Sequence, residues 1–212
     1  MIRPNLIKNI IFDLGNVLVK IDFELTLNAF KNLMHKSVNY SVDTLLHNHL
    51  VKDFETGKLN AIEFRKKFSD HLEISVSDNQ FDIAWNAMIL HYNSDYTKLL
   101  TDLQQHYRLF ILSNINEIHY DYVMGKNFWP NGIFEFEGYS HLMGIRKPDA
   151  EIYQHMLLKY QLKPDETLFF DDRYDNVQGA IGCGINGIVL DVSNNLINEC
   201  NKINLLTTNN TI

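Results

Sequence analysis

The sequence predicts an α/β protein: a parallel sheet flanked by helices, interrupted just after its first strand by an all-helical insert. Two patterns predict it. Past Ser94, short apolar runs of strand length alternate with helical periodicity, as parallel βαβ units do. Between Phe23 and Leu90 the periodicity is helical only, with no strand-like run to break it.

The elements follow in order. Ile10, Ile11 and Phe12 form a short apolar run ending in Asp13, and residues 17–21 are a second apolar stretch. Phe23, Leu27, Phe30 and Met34 recur at helical spacing, as do Leu46, Leu50 and Phe54 before Gly57. Asn60 and Glu63 have capping-box spacing ahead of the face formed by Ala61, Phe64, Phe68 and Leu72. Phe81, Trp85 and Met88 make a fourth stripe, so the insert reads as a small bundle with an aromatic core. Beyond it, Leu99, Leu100 and Leu103 predict a helix, residues 107–112 a strand and residues 133–138 a strand or flap. Residues 148–160 read as a helix with Pro148 at its first position. Residues 167–170, 175–181 and 187–192 read as strand, short helix and strand. The Asn-rich tail from Asn194 has little periodicity and is expected to be partly disordered. The expected division is a core of residues 1–22 and 91–212 with a cap of residues 23–90. Open α/β sheets bind ligands beyond the carboxyl ends of their strands, so an insert placed there would lie over the site as a lid.

Composition narrows the function. The chain has 212 residues, 45% of them hydrophobic, enough for one large domain or a domain with an insert. Its apolar runs are too short to span a bilayer, and its first residues lack a signal-peptide pattern. Cys183 and Cys200 have no metal-binding spacing, and reduced thiols with a cytoplasmic location are expected. A net charge of −7 without a basic stripe argues against nucleic acid and leaves a small anionic metabolite as the expected partner.

Three sets of polar residues stand directly after strand-length runs: Asp13, then Ser113 with Asn114, then Asp171 with Asp172. Lys147 lies in a loop before a helix. Parallel strands would gather these groups at one edge of the sheet. Close carboxylates repel unless a cation holds them, and hard oxygen ligands without Cys or His point to Mg²⁺. Lys147 would neutralise remaining charge, and Ser113 and Asn114 would donate hydrogen bonds to phosphate oxygens. This is the equipment of phosphoryl transfer.

The same residues resemble the four motifs of the haloacid dehalogenase superfamily, in order: Phe12-Asp13-Leu14-Gly15-Asn16-Val17, Leu112-Ser113-Asn114, Arg146-Lys147-Pro148 and Phe170-Asp171-Asp172. Within it they look most like the bacterial group of α-D-glucose-1-phosphate phosphatases. The resemblance implies a Rossmann-like core with a helical C1-type cap and a Mg²⁺-dependent phosphatase working through an aspartyl-phosphate. It implies Asp13 as nucleophile, and Asp13, the Gly15 carbonyl, Asp172 and Asp171 as candidates to hold the metal. Ser113, Asn114 and Lys147, with Gly15 and Asn16 in the first loop, are the expected substrate-binding set. One departure stands out: such phosphatases usually carry a second Asp two residues after the nucleophile, where this chain has Gly15. Rivals are a metal-free 2-haloacid dehalogenase and a non-catalytic ligand-binding protein. Hexose-1-phosphates are the expected substrates, because an anomeric oxygen leaves without acid help more readily than other sugar hydroxyls.

Secondary expectations complete the reading. Arg146 could join the phosphate site, Asp22 could point into the pocket, and Asp175 and Asn176 could cap the next helix or join the metal shell. Gly182, Gly184 and Gly187 match a dinucleotide pattern but follow a helix and precede a strand, which makes them a turn. His47 and His49 are expected on different faces of one helix, as surface residues and not as metal ligands.

Overall fold

A computed structural model describes residues 2–34, 40–46, 48–191 and 195–206. The chain runs β1 (Asn9–Phe12), β2 (Val19–Ile21), α1 (Phe23–Leu33), α2 (Val42–Leu46), α3 (His49–Glu55), α4 (Ala61–Leu72) and α5 (Asp78–Asn86). Then come β3 (Ile89–Tyr92), α6 (Asp95–Gln104), β4 (Arg108–Ser113), α7 (Glu117–Lys126), β5 (Phe136–Tyr139) and α8 (Ser140–Met143). The last elements are α9 (Ala150–Lys159), β6 (Thr167–Asp171), α10 (Tyr174–Gly182), β7 (Asn186–Val189) and α11 (Leu196–Lys202).

Five parallel strands form the core sheet in the order β5-β4-β1-β6-β7. The strand β1 is central and buried along its whole length, as a parallel strand covered on both faces must be. Its period-two alternation divides the interior. Ile11, Phe110, Leu112 and Phe169 face α9 and α10, while Ile10, Phe12, Ile111 and Phe170 face the opposite layer, which continues into the helical insert. Each fully buried aromatic or aliphatic side chain stabilises the fold by about 1.5–3 kcal/mol. Phe12 is in register with Ile111 of β4 and Phe170 of β6. This register sets Asp13 level with Leu112 and Asp171, with Ser113 one residue further on, so the three polar groups emerge close together at the carboxyl edge of the sheet.

Helices α1 to α5 lie between β2 and β3, which pair antiparallel as a two-stranded ribbon. Their interior is aromatic: Phe30, Phe64, Phe68, Phe81 and Trp85 pack with ring centroids 4.9–6.2 Å apart, mostly edge-on or tilted, with Phe81 stacked on Trp85. The Asn60–Glu63 capping box forms at the start of α4. The insert is fastened to the core at several points. The Ala61 amide donates to Glu117 Oε2 at 2.8 Å, the Trp85 indole donates to Asn116 Oδ1 at 3.2 Å, and Arg146 pairs with Glu55 at 2.9 Å.

Several expectations need correction. The second helical stripe is two helices: Asn48 breaks it by donating back to the Leu45 carbonyl and capping α3 through the Val51 amide. His49 is thus the first residue of α3, and His47 lies outside the described residues. The end of the helical stretch is strand β3, held by pairing with β2. Helix α7 carries apolar residues on no single face, which hid it from periodicity. Pro148 precedes α9 after a cis peptide bond, and Asp149 occupies the cap position. Part of the tail forms α11, anchored by buried Leu196 and Cys200, while residues 194 and 207–212 lie outside the described residues. No described helix is long and apolar enough to cross a membrane.

Candidate active site

The three neighbouring strands β1, β4 and β6 deliver Asp13, Ser113 and Asp171 to one point, and Lys147 reaches it from the loop before α9. Lys147 is 1% exposed, and its ammonium donates to Asp13 Oδ1 at 2.7 Å and Asp171 Oδ2 at 2.6 Å. Its pKa is set by opposing effects: burial pulls it down, but the two carboxylates outweigh burial and hold it above the ordinary lysine value. The lysine loop is itself clamped. Asn114 Nδ2 donates to the Lys147 carbonyl at 2.8 Å, and the Lys147 amide donates to Asn114 Oδ1 at 2.9 Å. Helix α10 backs this loop closely; a Cβ on Gly179 would meet the Pro148 carbonyl oxygen at 2.6 Å.

Asp171 is fully buried and fully engaged. Its Oδ1 accepts from the Arg173 amide at 2.8 Å, and both its oxygens accept from Asn176 Nδ2 at 3.0 Å, beside the lysine bond. Asp172 is half-buried, and its Oδ2 accepts from Asn16 Nδ2 at 3.1 Å. Asn16 adopts a left-handed backbone (φ 53°) and also receives the Ile21 amide on its Oδ1. Burial, opposed by Lys147 and reinforced by the Asp171 charge, raises Asp13 to about 7. Burial also raises Asp172, with the Asn16 hydrogen bond acting against it.

Oxygens of Asp13, Asp171 and Asp172 all lie within 4.8 Å of one another, the sole such metal-capable cluster among the described residues. The donors are hard oxygens without His or Cys, a set that fits magnesium. The carboxyls pushed upward by burial are those a divalent cation would hold ionised. At Gly15 an added Cβ would come within 3.0 Å of Ile21 Cδ1, so a side chain there would require Ile21 to shift.

A cavity of about 570 Å³ opens above these groups between sheet and insert. Asp13, Gly15, Ser113, Asn114, Lys147, Asp172 and Asn176 line its floor, and Arg146 lines it while paired with Glu55. Asn16 is not among its walls and reaches the site only through Asp172. Asp22 is exposed, caps α1 through the Glu24 amide at 3.0 Å, and is not among the residues lining the cavity. Asp175 is exposed on α10, Arg173 holds the cap position, and buried Asn176 serves Asp171. Gly182 ends α10 and Gly184 turns with φ 83° into β7, as a turn should.

The cap aromatics are expected mainly as bundle core with a few lining the cleft, and Trp85 does line it; the sequence reading did not find Asn116 and His119 beside it. Trp85 stacks on His119 at 5.2 Å, and Asn116 joins them. Its Oδ1 accepts from two obligate donors, the Trp85 indole and the His119 amide, so its Nδ2 must face His119 Nδ1. His119 therefore accepts at Nδ1 and donates from Nε2 to the Trp85 carbonyl at 3.0 Å, a neutral tautomer. Burial, against that carbonyl bond, lowers its pKa to about 4. The N-cap pattern at Asn116 was the one signal in the sequence.

Comparison with known proteins agrees with this geometry. The chain is 29% identical over 178 residues to the D-ribitol-5-phosphate phosphatase of Bacteroides thetaiotaomicron, covering 81% of this chain and 86% of the relative. It is 26% identical over 193 residues to a sesquiterpene phosphatase of Aspergillus oryzae, covering 86% and 89%. A crystal structure of a haloacid dehalogenase family enzyme from B. thetaiotaomicron, in complex with magnesium and inorganic phosphate, superposes with a TM-score of 0.82 at 28% identity, covering 91% of this chain and 98% of the other. The model of the haloacid dehalogenase-like hydrolases matches residues 7–184, and the chain belongs to that family.

Proposed function

We propose that the protein is a magnesium-dependent phosphatase that hydrolyses phosphate monoesters of small metabolites through an aspartyl-phosphate on Asp13. The observation that carries this reading is the Asp13–Lys147–Asp171 triad beside Asp172, at the floor of a lidded cavity. Asp13 attacks phosphorus, the bond from phosphorus to the alcohol oxygen breaks, and water then cleaves the acyl phosphate to release inorganic phosphate and restore the carboxylate. Lys147 offsets phosphoryl charge and orients Asp13, and Ser113 donates to a phosphoryl oxygen. Asn114 holds the lysine loop, and its remaining N–H is available to phosphate. Asp13, Asp172 and the Gly15 carbonyl are the residues that would hold magnesium, which when bound supplies charge neutralisation at the phosphoryl group. Asp171, its oxygens occupied by four hydrogen bonds, acts through Lys147 instead. Asn16 orients Asp172 and does not touch substrate.

The carboxylate cluster favours this chemistry over metal-free dehalogenation. The relatives' names support a phosphorylated metabolite, with a polyol phosphate and a terpenoid phosphate among their substrates. Hexose-1-phosphates are the sugar esters best suited to a site without an acid at Gly15. The two unpaired cysteines support a reducing, cytoplasmic setting. The test is release of phosphate from p-nitrophenyl phosphate. Activity should vanish in EDTA, return with Mg²⁺, and fall by several orders of magnitude in Asp13→Asn. Full turnover in excess chelator, or an Asp13→Asn variant within about tenfold of wild type, equivalent to about 1.4 kcal/mol in the barrier, refutes the assignment.

A further inference from the structure

The cavity, at about 570 Å³, holds more than a phosphate, and two unlike sets of residues line it beyond the phosphate floor. One set is apolar and includes Ile21, Phe23 and Met88. The other is an edge of α3, where His49, Lys52 and Glu55 recur at every third residue and all line the cavity. Arg146 meets this edge from the core, in the loop that carries Lys147.

The contact between Arg146 and Glu55 is only half made. The Nε and Nη2 of an arginine form one fork, and Arg65 uses both legs of its fork on Asp82, at 2.7 and 2.8 Å. Arg146 reaches Glu55 through Nη2 alone, at 2.9 Å, and its Nε is buried with no partner among the described residues. A buried N–H without an acceptor costs free energy, and a ligand oxygen beside this pair would supply one. One turn earlier on α3, Lys52 is exposed, and its ammonium makes no ion pair among the described residues. Donors and a carboxylate acceptor thus stand together on the cap side of the cavity.

A hydroxyl matches this set because it both donates and accepts. It can give its hydrogen to Glu55 while taking one from Lys52 or Arg146. A hydrocarbon body would cover these groups without pairing them, which carries a penalty for each. A second carboxylate or phosphate on the alcohol would face Glu55, Asp13 and Asp172 in the same cavity. We infer that Glu55, Arg146 and Lys52 form the specificity site for the alcohol, and that the preferred substrate is the phosphate monoester of a polyhydroxylated alcohol. This rests on the phosphatase reading above and names the residues that select its substrate.

The experiment compares ribitol-5-phosphate and ribose-5-phosphate with n-pentyl phosphate, using the magnesium-loaded enzyme. All three are five-carbon esters of a primary alcohol, and the pentyl ester lacks free hydroxyls. A site that hydrogen-bonds hydroxyls rejects the analogue without them, because its own polar groups are left unpaired. In the wild type, kcat/KM for the better hydroxylated ester should exceed that for the pentyl ester by about tenfold or more. Lys52→Met and Glu55→Gln should each lower this ratio roughly ten- to a hundredfold, as expected for loss of a hydrogen bond to a charged group. Comparing each variant with wild type cancels any difference in leaving-group acidity. Lys52 is exposed, so the fold should survive its replacement. Pentyl phosphate matching or outperforming both hydroxylated esters, or a ratio that neither variant moves, overturns the inference, while Asp13-dependent turnover of p-nitrophenyl phosphate leaves the phosphatase reading standing. Absence of Asp13-dependent turnover on every ester overturns both.

Discussion

Replacing Lys147 by methionine removes one charge from the centre of the site while nearly preserving side-chain volume. The cost can be worked from its surroundings. The lysine makes two buried ion pairs, at 2.7 and 2.6 Å, and its ammonium lies 5.2 Å from the Phe169 ring centroid. Removing one partner from a buried ion pair costs about 3–5 kcal/mol, because it strands the charge left behind. Two features limit the loss. Asp171 keeps its bonds from Asn176 and the Arg173 amide, and Asp13, already raised to about 7 by burial, can take up a proton. The lower end, about 3 kcal/mol, is therefore expected, which for a chain of this length lowers the melting temperature by roughly 6–12 °C. The sign with pH follows from the carboxyl groups. Asp13, already raised by burial, is raised further once the lysine's opposing charge is gone, so the penalty is small below its unfolded value and grows as pH rises toward its folded pKa. Thermal unfolding by circular dichroism at pH 5 and pH 8, in EDTA, reads this directly. Saturating Mg²⁺ should return part of the loss, about 2.7 kcal/mol at a hundredfold excess over Kd. Asp171→Asn added to Lys147→Met should cost less than the sum of the single changes. A variant melting within about 2 °C of wild type at pH 8, a gap independent of pH, or strict additivity would show that the buried charges are not what the lysine serves.

Two further outcomes are expected. His119 is neutral in the fold with its pKa at about 4, below the ordinary imidazole value, so its contribution is complete above about pH 6.5 and is lost as pH falls toward 4; urea unfolding at pH 7.5 and pH 5 should show a loss on the order of 2 kcal/mol that His119→Gln diminishes, and an unchanged pH dependence in the variant rules His119 out as its source. Because Gly15 supplies no acid, phosphoenzyme formation should quicken with leaving-group acidity across aryl phosphates, with a burst of phenol before slow turnover in rapid mixing; insensitivity to acidity would reveal a proton donor within the cleft.

The legible parts of the sequence were those in which local chemistry and tertiary role agree. Strand β1 is buried on both faces, so Ile10, Ile11 and Phe12 read as an unbroken apolar run, and parallel pairing placed Asp13, Ser113 and Asp171 together without reference to any partner. The Asn60 capping box was legible because both halves of the motif lie within four residues. Elements fixed by distant contacts were not legible. Strand β3 exists because it pairs with β2 some seventy positions earlier, and α7 spreads its apolar residues over several surfaces instead of one stripe. The resemblance favoured Asp172 over Asp171 for the metal, but the contacts that distinguish the two were not legible, for the same reason. Adjacent in sequence, they differ only in what approaches them: Lys147, Asn176 and the Arg173 amide for one, Asn16 for the other.

The missing acid at Gly15 belongs to a wider pattern in how protons are held around this cleft. Lys147 is locked between two carboxylates, His119 has both ring nitrogens engaged and remains neutral, and Asp22 is occupied at the start of α1. Asn16, next to the glycine, is committed to Asp172 and the Ile21 amide, and the loop is tight enough that even a Cβ at position 15 would crowd Ile21. General acid–base assistance contributes typically about 10²–10⁴ in rate, a modest part of the overall acceleration, up to ~10²¹, available to phosphate-ester hydrolysis. A site that gives up this contribution can still act through fixed charge, provided that water is excluded and the phosphoryl group is held in line. The insert forms the side of the cavity opposite Asp13, through Trp85, the Asn116–His119 pair it stacks on and the Glu55–Arg146 pair. On the proposed reading, catalysis would rest on the charges at the sheet's edge, and the alcohol's own acidity would set how readily it departs.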